Sequence, residues 1–213
     1  MNQAKIEPVP LFPTLVWKIE FPDELTQRIN QSVLPLIRSK LQSDLETSPK
    51  ILQQTEQNLH LTPEFEELVK NVYLHANHAL EYLSIDYDAI QITGCWANIS
   101  GVGHSHRRHS HPNNFLSGVY YIEVPVGGNN IVFHDPRPQI PIIKPPVKKM
   151  TFENADHAVA QVKPGTMLLF PSWLNHSVPT SKGTDRKISV AFNLMFLQYA
   201  ETMSNPMWKG NLE

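Results

Sequence analysis

Histidine is the residue whose spacing in this chain most clearly indicates chemistry. Four of the ten histidines fall in the segment HSHRRHSH, residues 104–111. Residues two apart in an extended chain point to the same side, so His109 and His111 can present both imidazoles to one ion. The same holds for His104 and His106. Imidazole suits iron, zinc, copper or nickel, and the near absence of cysteine argues against a structural zinc site. The pattern predicts an open, catalytic metal centre, with a solvated histidine-rich loop as the alternative.

The composition excludes several classes of protein. The 213 residues include 18 Lys and Arg against 20 Asp and Glu, a formal net charge of −2. This balance gives no electrostatic footprint for nucleic acid or an anionic membrane, and no stretch approaches 18 consecutive apolar residues. The single Cys95 cannot form an internal disulfide, and the opening residues lack a secretory hydrophobic region. We therefore expect neither a nucleic-acid nor a membrane partner, and a cytoplasmic location.

The periodicity of apolar residues changes near residue 88. Before it, the spacing predicts a strand over residues 15–21, a helix that begins at Asp23 with a kink or break at Pro35, and a helix capped by Thr62. The polar residues 47–61 between the helices are predicted to form an exposed loop. After it, short apolar runs predict strands at residues 89–100, 115–124, 130–134, 158–162, 166–170 and 187–196.

The order of these elements predicts the fold class. Helices that precede a run of strands, without βαβ alternation, indicate an α+β, mainly β architecture in which antiparallel sheets form a sandwich or barrel. We expect a single domain over residues 1–213. Residues 1–88 supply an N-terminal strand and supporting helices, and residues 89–200 form the core. The proline-dense loop 135–148 is longer than an ordinary hairpin turn and is typical of a functional lid.

Two downstream segments extend the histidine pattern into an ordered series of motifs. Residues 109–137 read HSHPNNFLSGVYYIEVPVGGNNIVFHDPR, and residues 162–194 read VKPGTMLLFPSWLNHSVPTSKGTDRKISVAFNL. Together they strongly resemble the iron(II)- and 2-oxoglutarate-dependent oxygenases, particularly the prolyl-hydroxylase-like branch, over roughly residues 90–197. The resemblance implies a double-stranded β-helix, a cupin-like jelly roll with helices packed on one sheet.

The resemblance also implies a set of iron ligands. The family holds iron with a His and a carboxylate two residues apart and with a distal His. His109 matches the first ligand and His176 the distal one, whereas His111 stands where the carboxylate is expected. An all-histidine triad, a carboxylate from Asp135 and a water molecule are three alternatives for the third position. His104 and His106 are a weaker alternative pair, expected to be surface residues on a mobile loop.

The cosubstrate 2-oxoglutarate needs a fixed cation, which in this family begins the strand after the distal histidine. Lys187 and Arg186 compete for this role. Strand alternation places Lys187 on a small, polar face and Arg186 on an apolar face, which favours Lys187. Further candidate contacts to 2-oxoglutarate are Ser189, Asn98 and one of the adjacent Tyr120 and Tyr121.

The implied activity is a dioxygenase that uses iron(II), 2-oxoglutarate and O2 to hydroxylate an unactivated C–H bond, with release of succinate and CO2. An amino-acid side chain, free or within a peptide, is the expected substrate. Asp135 and Arg137 are hypothesised to gate it; the alternative is a structural turn in which they pair with each other. The competing functions are a 2-oxoglutarate-independent three-histidine cupin-type dioxygenase and a non-catalytic metal-binding jelly roll. The oligomeric state stays open, with a homodimer as one option.

Overall fold

The structure is a computed structural model, which describes residues 4–45, 52–128, 130–139, 142–181 and 185–198. Two helices, α1 (Asp23–Leu45) and α2 (Glu66–Tyr82), lie in the N-terminal part. The strands are β1 (Trp17–Glu20), β2 (Leu52–Gln54), β3 (Ile90–Ser100), β4 (His106–His109), β5 (Leu116–Glu123), β6 (Asn130–His134), β7 (His157–Gln161), β8 (Thr166–Pro171), β9 (His176–Val178) and β10 (Lys187–Phe196).

The strands form two antiparallel sheets. The larger sheet has the order β1-β8-β5-β10-β3-β2, and the smaller has the order β4-β9-β6-β7. A second apolar cluster, with Tyr121, Phe170 and Phe133 among its members, joins residues of both sheets. Two facing sheets with these crossovers confirm the predicted double-stranded β-helix and its mainly β, α+β class.

The two helices pack on the outer face of the larger sheet. Ile29 and Val33 of α1 share one buried cluster with Ile188, Val190 and Phe192 of β10. Burial of each such side chain contributes about 1.5 to 3 kcal/mol, so this layer holds the central strand β10 firmly. The alternate residues of β10 therefore face the space between the two sheets.

Two glycines permit close packing where the motifs place them. A Cβ on Gly118 of β5 would lie 2.4 Å from the Phe192 ring and 2.7 Å from the Leu168 carbonyl oxygen. Gly165 has φ +82° in the turn before β8, and a Cβ there would lie 2.3 Å from Thr26 Oγ1. Both positions thus require glycine, because a side chain would collide with an adjacent strand or with α1.

Three details of the N-terminal prediction are wrong. Helix α1 continues through Pro35 without a break, since the buried Val33 and Ile37 on either side hold it against the sheet. The α-helix expected from Thr62 begins at Glu66, after 3-10 turns at Leu59–Leu61 and Pro63–Phe65.

The predicted exposed loop 47–61 is partly ordered. Residues 46–51 lie outside the described residues, but β2 pairs with β3 at the sheet edge and Leu59 is fully buried. The sequence analysis missed this strand because Gln53 and Gln54 are polar, and an edge strand needs only one apolar face.

Within the described residues, no helix is long and apolar enough to cross a membrane.

Candidate active site

Strand pairing in the smaller sheet brings two distant histidines together. β4 and β9 run antiparallel, and His109 lies directly opposite His176. A register shift between His106 and His109 bulges β4 just before the ligand position. His111 follows the strand, where its backbone N–H donates to the Ser172 carbonyl at 2.9 Å. The backbone therefore fixes all three imidazoles at one end of this sheet.

The three histidines form a compact cluster. One nitrogen from each of His109, His111 and His176 lies within 4.8 Å of the others. The ring centroids of His109 and His176 are 4.3 Å apart. No other group of three His, Cys, Asp or Glu with this spacing occurs in the described parts of the chain. The cluster is therefore the place where this chain is able to hold an ion with three protein ligands.

Hydrogen bonds orient two of these rings. The Nδ1–H of His109 donates to the Arg107 carbonyl at 2.7 Å, and the Nδ1–H of His176 donates to the Leu174 carbonyl at 2.9 Å. A carbonyl only accepts, so each bond requires the proton on Nδ1 and leaves Nε2 with a free lone pair. Metal-ligating histidines are commonly held in this way.

Burial keeps the cluster in its ligand form. Removal from water lowers the pKa of His111 and of His176 to about 4, and the neighbouring histidines act in the same direction. Both rings are therefore neutral at pH 7, which is the state that binds a metal.

Lys187 supplies the positive charge of the same cavity. It is buried at the start of β10, 6% exposed, and its Nζ lies 5.9 Å from the centroid of the Tyr121 ring. Desolvation lowers its pKa to about 8. No carboxylate of the described residues pairs with Lys187, and no carboxylate of those residues lines the cavity. A buried ammonium without a counter-ion is costly, so this arrangement fits an anionic ligand.

Small polar side chains lie beside Lys187. Ser189 is opposite Asn98 on β3 and opposite Tyr121 on β5, and all three line the cavity. Asn98 accepts a hydrogen bond of 2.7 Å from Gln54 Nε2, which orients its amide. The predicted alternation of β10 is observed, because Lys187, Ser189 and Ala191 line the cavity together.

Tyr120 and Arg186 lie away from the cavity. The Tyr120 hydroxyl donates to Asn30 Oδ1 at 2.9 Å, on the face of the sheet covered by α1. Arg186 is exposed and is not among the residues that line the cavity. Both were candidates for 2-oxoglutarate, and their placement follows from side-chain alternation, which left Tyr121 and Lys187 on the inner face.

Asp135 does not join the histidine cluster. Its carboxylate accepts hydrogen bonds from Arg137 Nε at 3.0 Å and from Arg137 Nη2 at 2.6 Å. The guanidinium keeps the pKa of this carboxyl low, so Asp135 is ionised but already paired. The structure therefore shows the paired turn that was the alternative to a gating role.

Sequence reasoning misjudged His104 and His106. Both are half-buried and line the cavity, rather than lying on the surface. The His106 ring centroid is 5.1 Å from that of His109 and 5.7 Å from that of His104. His104 Nε2 is buried and has no hydrogen-bond partner among the described residues. Their i, i+2 spacing carried the signal, but the register shift in β4 between His106 and His109 leaves no mark in the sequence.

The donor set fits an open divalent metal site beside an anion site. Three imidazoles suit iron(II) and leave further coordination positions for other ligands. The buried Lys187 and the polar side chains next to it suit the free carboxylate of a dicarboxylate that chelates the metal through its other end.

Comparisons with known proteins support this interpretation. Residues 94–193 match the family model described as "Putative 2OG-Fe(II) oxygenase", a description that names both cofactors and confirms iron(II) and 2-oxoglutarate as predicted. No curated protein matches the chain.

Several solved structures share the fold. A prolyl hydroxylase from Trichoplax adhaerens, in complex with a hypoxia inducible factor peptide fragment, has a TM-score of 0.59 and 13% identity, and the match covers 88% of this chain and 86% of that one. A viral collagen prolyl hydroxylase of Paramecium Bursaria Chlorella virus-1, with 2-oxoglutarate, has a TM-score of 0.55 and 13% identity, with 84% and 94% covered. HygX of Streptomyces hygroscopicus, with nickel and 2-oxoglutarate bound, has a TM-score of 0.56 and 11% identity, with 86% and 83% covered.

At such low identity these neighbours establish the fold, and the family match adds the motifs in their order. Together they confirm the predicted resemblance to the iron(II)- and 2-oxoglutarate-dependent oxygenases, and the family model locates it at residues 94–193.

Proposed function

We propose that this chain is a 2-oxoglutarate-dependent dioxygenase that hydroxylates an unactivated C–H bond of an amino-acid or peptidyl side chain, with release of succinate and CO2. The observation that carries the proposal is one cavity shared by the His109, His111 and His176 cluster and by the buried Lys187, which pairs with no carboxylate of the described residues. A metal site without this lysine would fit many functions, and the lysine without the cluster would fit none in particular.

Each residue of the site has a distinct task in this proposal. His109 and His176 hold iron(II) through Nε2, His111 supplies the third ring nitrogen, and Lys187 binds the far carboxylate of 2-oxoglutarate. Ser189, Asn98 and Tyr121 surround that carboxylate and limit its freedom. Bound iron supplies the activation of O2 and the oxidative decarboxylation of 2-oxoglutarate.

The apolar side of the cavity excludes water from the reaction. Its lining also includes the apolar side chains of Phe170, Ile131, Val119 and Trp96. A dry cavity strengthens the attraction between the buried ammonium and a carboxylate and protects reactive species from hydrolysis.

We place the protein in the cytoplasm as part of the same proposal, since its only cysteine, Cys95, is a buried free thiol.

A 2-oxoglutarate-independent dioxygenase is the second candidate. The observation in its favour is that the cluster has three imidazoles and no carboxylate. In such an enzyme Lys187 would have no dicarboxylate to bind, so its buried charge would be left without a function.

Anaerobic titration with iron(II), with and without 2-oxoglutarate, separates the two candidates. We expect the weak visible charge-transfer band of the iron chelate only when both are present. In air, the loaded protein should also form succinate slowly without substrate. Iron binding with no band and no succinate would exclude the proposed function and favour the second candidate.

A further inference from the structure

The loop between β6 and β7 begins and ends beside the histidine cluster. His176 is the first residue of β9 and lies opposite Phe133, next to the end of β6, while His157 begins β7 opposite His134. The loop, residues 135–156, therefore leaves the smaller sheet at the end that carries the three imidazoles. The Asp135 backbone N–H donates to the Asp156 carbonyl at 2.9 Å and closes the loop at its base.

This end of the sheet carries an excess of positive charge. The outer part of β4 and the loop together contain six basic residues and three acidic ones, whereas the whole chain has a formal net charge of −2. The basic residues are Arg107, Arg108, Arg137, Lys144, Lys148 and Lys149; the acidic ones are Asp135, Glu153 and Asp156. Only Arg137 and Lys144 are engaged in ion pairs, with Asp135 and Asp156 respectively.

Four cations on this surface remain available to a partner. Arg107, Arg108, Lys148 and Lys149 are exposed, and no acidic group of the described residues lies within ion-pair distance of them. Arg108 directly precedes His109, which lies opposite His176 of β9, and His176 in turn lies opposite Phe133 near the end of β6. The Lys149 carbonyl accepts a hydrogen bond of 3.0 Å from Asn154 Nδ2, inside a turn that holds this part of the loop.

The same loop exposes large apolar side chains. Ile142, Ile143 and Phe152 are 74%, 80% and 96% exposed, and Met150 is half exposed. Single exposed apolar residues are ordinary, but several on one loop whose ends lie beside the histidine cluster are typical of a surface that binds a partner.

We infer that Arg107 and Arg108 of β4 and the described parts of the loop, residues 135–139 and 142–156, form a docking surface for an acidic polypeptide with apolar side chains, which presents one residue to the cavity. The inference deepens the proposed function, on which its substrate role rests, and it favours a peptidyl over a free amino-acid substrate. A small molecule would be enclosed by the cavity and would not need a surface outside it. A nucleic acid would need more phosphate contacts than four free cations provide, and it would leave the aliphatic side chains unused.

Selection from a random 12-residue peptide display library tests this surface. The wild-type protein, loaded with iron(II) and 2-oxoglutarate, should select peptides enriched in Asp and Glu together with apolar residues. The variant Lys148→Glu/Lys149→Glu should lose this enrichment, and selected peptides should bind it about tenfold more weakly, because two attractive charges become repulsive. The double variant Arg28→Glu/Lys70→Glu makes the same change in charge on the helices and should leave selection unaltered.

Four results would each overturn the inference. They are selection without acidic enrichment, the same enrichment on the loop variant, the absence of any binding pool, and tighter binding of a 12-nucleotide single strand than of the selected peptides. The visible band with iron(II) and 2-oxoglutarate should be unchanged in the loop variant. Loss of the band already in the wild type would instead refute the proposed function.

Discussion

His109 and His176 lie directly opposite each other in the pairing of β4 with β9, with ring centroids 4.3 Å apart, although 67 positions separate them in the chain. Side chains in a strand alternate between faces, so a slip of one residue in either strand would turn one ring out of the cavity. The metal site therefore depends on the register of one short strand pair.

His176→Ala should abolish specific iron binding. Loss of a residue that only supports a metal ligand lowers metal affinity by about 10 to 100-fold. Because this substitution removes one of the three ligands themselves, we expect iron affinity to fall by more than about 100-fold. Equilibrium dialysis with iron(II) measures it. The control is His157→Ala, an exposed histidine in β7, which should bind iron as the wild type does. Equal loss in both variants, or no loss in His176→Ala, would contradict the assignment.

Binding of 2-oxoglutarate should weaken above pH 8. The pKa of Lys187 in the folded, ligand-free protein is lowered to about 8, so the ammonium that pairs with the carboxylate is lost as the pH rises through that value. The apparent dissociation constant should be flat for this group below pH 8 and then rise by about tenfold per pH unit. Isothermal titration between pH 6.5 and 9.5 tests this. Lys187→Met should bind weakly at every pH, whereas Arg186→Met should keep the wild-type profile; a flat profile in the wild type would exclude Lys187 as the anchor.

His106→Ala should weaken binding of 2-oxoglutarate more than binding of iron. The His106 ring lies next to His109 and lines the cavity with Lys187, between the metal cluster and the cation. Loss of one hydrogen bond to the cosubstrate corresponds to about 3 to 10-fold in affinity. Parallel titrations with iron(II) and with 2-oxoglutarate separate the two effects. If iron affinity fell as far as in His176→Ala, His106 would be a ligand and the cluster would contain four histidines.

Much of this site was accessible from sequence because it depends on local alternation. The inward face of β10 follows from the apolar and polar residues around Lys187, and the same rule predicted that one tyrosine of the pair faces the cavity, without saying which. Ligand order along the motifs likewise indicated His109 and His176. The inferences on β10 and on the tyrosine pair use the two-residue period of a strand, whereas His109 and His176 were assigned from the resemblance to the family's motifs.

The features that the sequence analysis missed depend on tertiary contacts, which leave no periodic pattern in the sequence. The position of His106 depends on the pairing of β4 with β9, a strand of three residues too short to predict. Helix α1 passes Pro35 because buried contacts on both sides outweigh the lost hydrogen bond. Tertiary packing decided both cases, and a single sequence gives no estimate of it.

Gly118→Ala should destabilise the fold. The added Cβ would lie 2.4 Å from the Phe192 ring in a core without free space, and overpacking of this kind costs about 1 to 3 kcal/mol. Urea denaturation measures the free energy of unfolding. Gly94→Ala is the matched control in β3, since its Cβ would meet its nearest neighbour at 3.5 Å, an ordinary contact. If the two variants unfolded at the same urea concentration, close packing at Gly118 would not explain the glycine.

The charge of the third ligand should set how tightly the site holds its anionic cosubstrate. His111 is neutral, so iron(II) keeps both positive charges, and with Lys187 the cavity attracts a dicarboxylate strongly. His111→Asp supplies the carboxylate expected at this position and should keep the visible band while it weakens 2-oxoglutarate binding by about tenfold or more. His111→Ala removes a ligand without adding charge, so it should weaken iron binding instead. Titration of both variants with iron(II) and with 2-oxoglutarate compares the two effects. Unchanged iron affinity in His111→Ala would mean that water fills the third position and that His111 only lines the cavity.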